Sequence, residues 1–116
     1  MPSRILIVED EPLVAIDIAS LLENFGYQVV GPAGTAAAAL SLLASEGCDA
    51  AILDIRLGRE TSQDVALELA HGGIPFVILS AYSPKEANFP SDAPALAKPV
   101  QPQKLLAELQ RCLLPK

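Results

Sequence analysis

The chain alternates between short apolar runs and longer stretches with helical periodicity. Residues 4–8 contain the run Ile5-Leu6-Ile7-Val8, brief and partly β-branched, which predicts a strand. From Leu13 to Phe25 apolar residues dominate, while Asp17, Ser20, Glu23 and Asn24 make a polar stripe at helical spacing. Gly26 and then Tyr27 read as the C-cap of that helix with its following hydrophobic contact. Tyr27–Val30 is a second strand, closed by Gly31-Pro32, and an Ala-rich helix runs from Thr35 to Ser45 and ends at Gly47. Ala50–Asp54 is apolar up to its last residue, as in a strand buried on both faces. A third helix spans Ser62 to His71 and stops at Gly72-Gly73; Pro75–Leu79 is a fourth strand and Ala95–Ala97 a weak fifth. Pro102 opens a last helix, in whose first turn proline is tolerated, and Leu105, Leu106, Leu109, Cys112 and Leu113 form its apolar stripe.

Strands and helices joined by short connections predict one α/β domain over residues 1–116, a parallel sheet covered on both faces. One helix is damaged. Between Ser83 and Pro94 three prolines fall in twelve residues, which precludes a full amphipathic helix. A turn, or one short helical turn around Lys85–Asn88, is expected there instead.

Composition narrows the class. Hydrophobic residues make up 51% of the chain but aromatics only 4%, so aliphatic side chains and alanine must fill the core. The net charge of −6, without a basic cluster, argues against direct nucleic-acid binding and against an anionic membrane surface. No apolar run approaches the ~20 residues of a membrane span, and Met1-Pro2-Ser3-Arg4 precedes too short a run for a signal peptide. A cytoplasmic location is expected. Cys48 and Cys112 fit no metal-ligand spacing and read as two reduced thiols.

The polar residues at strand ends carry the chemistry. Glu9 and Asp10 end the first strand, with Glu11 beyond them; Asp54 ends the third, Ser80 follows the fourth and Lys98 the fifth. Singly, each has a plainer reading. The acids suit a helix N-terminus, Asp54 a turn or cap, Ser80 a small polar exit residue, and Lys98-Pro99 an ordinary loop. Together they fall on the carboxyl edge of a parallel sheet, where ligands of open α/β sheets bind. Carboxylates converging there call for a cation, and a hard cation such as Mg²⁺ takes about six oxygens. Without it, like charges this close should raise at least one carboxylate pKa. A lysine and a hydroxyl beside the acids suit a phosphoryl group, with a carboxylate as nucleophile.

The segments Ile-Leu-Ile-Val-Glu-Asp-Glu-Pro, Ala-Ile-Leu-Asp-Ile-Arg-Leu-Gly, Val-Ile-Leu-Ser-Ala-Tyr and Ala-Lys-Pro-Val, in this order, resemble the receiver domain of two-component response regulators. The resemblance covers essentially the whole chain. It implies a flavodoxin-like (βα)5 doubly wound sheet of strand order 2-1-3-4-5, with the fourth helix short or degenerate. It implies Asp54 as the acceptor of a phosphoryl group from a sensor histidine kinase or histidine phosphotransfer protein. Mg²⁺ (or Mn²⁺) would be held by Asp10, Glu9, Asp54 and the backbone carbonyl of Arg56, with Glu11 outside that set. Lys98 would pair with a phosphoryl oxygen, Ser80 would follow the phosphoryl group, and Lys98–Pro99 would be cis. Such a domain is a signalling phosphoacceptor rather than an enzyme, and acts on a downstream protein partner.

The chain departs from the family at two places. Ala95 stands where receivers usually carry an aromatic ring three residues before the lysine, and the segment from Ser80 to Lys98 is short. Tyr82 or Phe89 is expected to supply the missing contact. Arg56 and Tyr82, each two residues past a key position, are candidates for tuning the lifetime of the aspartyl phosphate. His71, the only histidine, is expected to serve its helix end alone. If 116 residues is the natural length, output passes through a partner or through competition for phosphate; in a longer protein another module would carry it. The main alternative is a pseudo-receiver, an interaction module not regulated by phosphorylation. A small-metabolite phosphohydrolase is disfavoured by Arg56, where a second Asp is expected. A mononucleotide binder is disfavoured by the acidic first loop.

Overall fold

The computed structural model describes residues 2–80 and 93–114. A five-stranded sheet runs in the order β2-β1-β3-β6-β7, formed by β1 Arg4–Val8, β2 Gln28–Ala33, β3 Ala50–Asp54, β6 Phe76–Ser80 and β7 Ala95–Ala97. Every pairing in it is parallel. This is the order expected of a receiver-like doubly wound sheet. The helices are α1 Pro12–Asn24, α2 Ala36–Ser45, α3 Gln63–His71 and α4 Pro102–Leu113. None of them is long and apolar enough to cross a membrane.

The two-residue period of the strands divides the core into two layers. Leu6, Val8, Ala51, Leu53, Phe76 and Ile78 pack with Ala39 of α2 and with Val65, Ala66 and Leu69 of α3. Ile5, Ile7, Ala50, Ile52, Val77 and Leu79 pack with Ile18 and Leu22 of α1 and with Leu105 and Leu109 of α4. Strands buried on both faces need no polar alternation, which is why their sequences read as continuous apolar runs.

The end of α1 follows the expected cap. Gly26, at φ 101°, donates its N–H to Glu23 O at 3.1 Å, and Tyr27 N–H donates to Leu22 O at 2.9 Å. Two elements differ from expectation. The second strand does not stop at Gly31-Pro32 but continues to Ala33 through a bulge, in which Leu6 pairs with Val30 and Val8 with Ala33. Proline is tolerated there because β2 is an edge strand. The Gly31–Pro32 bond is cis, as is Lys98–Pro99. Between β3 and α3 the chain forms a small antiparallel hairpin of β4 Arg56–Leu57 and β5 Glu60–Thr61. The short turn expected around Lys85–Asn88 lies outside the described residues.

Candidate functional site

Strand register builds the site. Val8 pairs with Leu53, so the next residues, Glu9 and Asp54, leave adjacent strands side by side. The bulge in β2 contributes as well, because its last residue, Ala33, accepts the Glu9 N–H at 2.9 Å and fixes the backbone where β1 ends. On the other side Asp54 pairs with Leu79, and Ser80 with Ala97. The Lys98 N–H then donates to Ser80 O at 2.8 Å. The lysine is thereby brought back across two strands toward the acids.

Its ammonium lies 2.7 Å from Asp54 Oδ2 and 2.9 Å from Glu9 Oε2, with Glu11 Oε1 further off at 3.7 Å. Asp54 and Glu9 are buried, at 6% and 3% exposure, whereas Asp10 and Glu11 are exposed. Glu9 Oε1 accepts the Glu11 N–H at 3.1 Å. Glu9 Oε2 is buried with the ion pair to Lys98 as its contact, but without a well-directed hydrogen bond. Carboxylate oxygens of Glu9, Asp10 and Asp54 lie within 4.8 Å of one another.

Burial pushes the Glu9 pKa up; Lys98 and the Glu11 amide oppose this, the Asp54 charge adds to it, and the net shift is upward. This is the raised carboxylate expected of clustered acids, although burial is the larger cause. For Lys98 burial acts downward, but the hydrogen bond to Asp54 and the neighbouring charges outweigh it, so its pKa rises.

Ser80 is buried at the end of β6. Arg56 is exposed on β4, and its N–H points to Asp54 Oδ1 at a long 3.4 Å. Ala95 opens β7, opposite Ile78. Tyr82 and Phe89 lie outside the described residues. Cys48 and Cys112 are free thiols away from the acids, each with its pKa raised mainly by burial. His71 sits in the last turn of α3. One contact escaped the sequence reading. Ser62, expected to begin the third helix, stands just before it, and its hydroxyl donates to the Asp54 carbonyl oxygen at 2.6 Å.

Residues 5–110 match the family model of the response regulator receiver domain. The chain belongs to that family. This receiver is 38% identical over 104 residues to the transcriptional regulatory protein PdtaR of Mycobacterium tuberculosis, covering 88% of this chain and 51% of that protein. It is 33% identical to the phyllosphere-induced regulator PhyR of Methylorubrum extorquens, covering 97% of this chain and 44% of that one. The receiver thus spans about half the length of these curated relatives. Among solved structures, a CheY-like receiver domain protein of Methanospirillum hungatei superposes with a TM-score of 0.85 at 28% identity, covering 97% of this chain and 94% of that one. PhyR of Brucella abortus superposes with a TM-score of 0.84 at 31% identity, covering 97% of this chain and 48% of that one.

Proposed function

We propose that residues 1–116 form a phospho-accepting receiver that takes a phosphoryl group on Asp54 from a sensor histidine kinase or histidine phosphotransfer protein in the cytoplasm. The transfer switches binding of a downstream protein. The observation that carries this reading is the convergence of Glu9, Asp10 and Asp54 around one point with the Lys98 ammonium beside it.

The donor set fits a hard divalent cation. It offers clustered carboxylate oxygens from Glu9, Asp10 and Asp54, all within 4.8 Å of one another. Mg²⁺ or Mn²⁺ would be held by Glu9, Asp10, Asp54 and the backbone carbonyl of Arg56. Bound there, the cation supplies the positive charge that lets an anionic phosphoryl group approach clustered carboxylates.

The side chains divide the remaining tasks. Lys98 holds Asp54 Oδ2 at 2.7 Å and so orients the carboxylate at the end of β3. One carboxylate oxygen of Asp54 forms a bond to phosphorus as the phosphorus–nitrogen bond of a phosphohistidine breaks, and that electron pair stays on the imidazole nitrogen. The product is an acyl phosphate on Asp54. Lys98, kept protonated by its raised pKa, then pairs with a phosphoryl oxygen, and the Ser80 hydroxyl donates to another. The chain assists its own phosphorylation and dephosphorylation and turns over no separate substrate. The names of its relatives, a transcriptional regulatory protein and a phyllosphere-induced regulator, support a regulatory output.

Intact mass after incubation with Mg²⁺ and a small phosphodonor tests the reading. One added phosphoryl group is expected on the wild type and none on Asp54→Asn. No adduct from any donor, a cognate kinase included, would favour an interaction module of the same fold that phosphate does not regulate.

A further inference from the structure

Ser62 occupies the N-cap position of α3 but does not act as a cap. An N-cap serine normally has extended backbone and turns its oxygen to accept a first-turn amide. Here the backbone sits at φ −91° and ψ 17°, and the side chain makes no cap hydrogen bond. The residue is fully buried, and its hydroxyl points back toward the strand.

What it holds is the backbone on either side of Ile55. The Ser62 hydroxyl donates to Asp54 O at 2.6 Å, and the Ser62 N–H donates to Ile55 O at 3.0 Å. The other side of the first peptide is tied to the sheet, where Ile55 N–H donates to Leu79 O at 3.1 Å. The hairpin beyond is pinned by buried Leu57 and by Glu60 Oε1, which accepts the Ala36 N–H at 2.8 Å. The two peptide units that lead from Asp54 to Arg56 are therefore fixed from both ends, and one residue supplies two of the bonds.

We infer that Ser62 is a positioning residue for phosphoryl transfer: by holding the Asp54 and Ile55 carbonyls it orients the Asp54 carboxylate and the Arg56 carbonyl. This rests on Asp54 being the phosphoacceptor. A displacement of an ångström at a reacting group lowers rates by about a hundredfold, so a partial release of this peptide has a measurable effect. A helix cap or a packing residue makes a different prediction. Its loss lowers stability but leaves the rate per folded molecule unchanged.

The test uses the full chain, Mg²⁺ and acetyl phosphate, with the initial rate of adduct formation read by intact mass at a temperature where each variant is folded. Ser62→Ala is expected to lower the rate about tenfold. Ser62→Thr, which keeps the hydroxyl, should recover most of it. Ser62→Cys, close in shape but a weak donor, should lie between, and it carries the test if the alanine variant does not fold. The second readout needs neither metal nor phosphate. Amide exchange at Ile55 and Arg56 should accelerate in Ser62→Ala more than exchange within α3.

Wild-type rates in Ser62→Ala and Ser62→Cys would overturn the inference and leave the phosphoacceptor reading intact. So would faster exchange confined to α3 with an unchanged rate. A wild type that takes no phosphoryl group from any donor would overturn both.

Discussion

The Lys98 ammonium lies 2.7 Å from Asp54 and 2.9 Å from Glu9, and this contact offsets much of the cost of burying two carboxylates. Removing it leaves both acids uncompensated. Lys98→Met should therefore lower stability by about 1–3 kcal/mol in urea unfolding, less than for a sealed ion pair because the lysine retains some solvent contact. Adding Glu9→Gln to that variant should recover part of the loss, since the two changes share one interaction. Glu9 also sets a pH signature. Its folded pKa lies above the ordinary 4.5, so between those two values the folded protein keeps a proton that the unfolded chain has released. The stabilisation this gives is complete at the acid end of that window and is lost as pH rises through the folded pKa. Metal-free wild type measured against Glu9→Gln should accordingly lose relative stability as pH rises from about 4.5, then level off. A flat difference across that range would refute the assignment.

At the level of elements, most strands and helices were legible because burial leaves a periodic trace. β1, β3 and β6 are buried at nearly every position and read as short apolar runs. What escaped was local geometry without such a trace. Gly31-Pro32 reads as a strand terminator, yet on an edge strand neither residue owes a hydrogen bond to an outer neighbour, so pairing resumes at Ala33. The β4–β5 hairpin pairs only two residues on each side, too few for periodicity to register. Two glycines separate conformational strain from steric clash. Gly26 has φ +101° with nothing within 4 Å of an added Cβ, so Gly26→Ala should cost about 1–2 kcal/mol from backbone strain alone. Gly31 has φ +92°, and an added Cβ would lie 2.9 Å from Ala33 N and 3.3 Å from Ile7 O. Gly31→Ala should cost more than Gly26→Ala, about 2–4 kcal/mol by urea unfolding. It should also disturb the Ala33 carbonyl that anchors Glu9, so its damage reaches the site, whereas that of Gly26→Ala stays at the end of α1.

For the molecule as a whole, the convergence of the candidate residues was more legible than the backbone that supports it. Glu9, Asp10, Asp54, Ser80 and Lys98 announced themselves because each ends or follows an apolar strand, and parallel pairing sends all such ends to one edge. Ser62 did not, because the sequence reads it only as the start of the third helix and its bond to Asp54 O spans eight residues of turn and hairpin. Charge joins the site to global stability. A chain of net charge −6 that gathers three carboxylates within 4.8 Å of one another should bind a divalent cation in the folded state and not when those strands separate. Binding restricted to the folded state adds about 2.7 kcal/mol at a hundred times the dissociation constant. For a domain of this size that corresponds to a rise of about 10 °C in melting temperature. Calorimetry over a Mg²⁺ series should show this rise, reversed by chelator. Asp10→Asn is the informative variant, because Asp10 is exposed and its loss removes a donor at little cost to folding. It should melt near the wild type without metal and lose most of the Mg²⁺ response. If its response equals that of the wild type, the cation is held elsewhere, and the division of labour among Glu9, Asp10 and Asp54 fails.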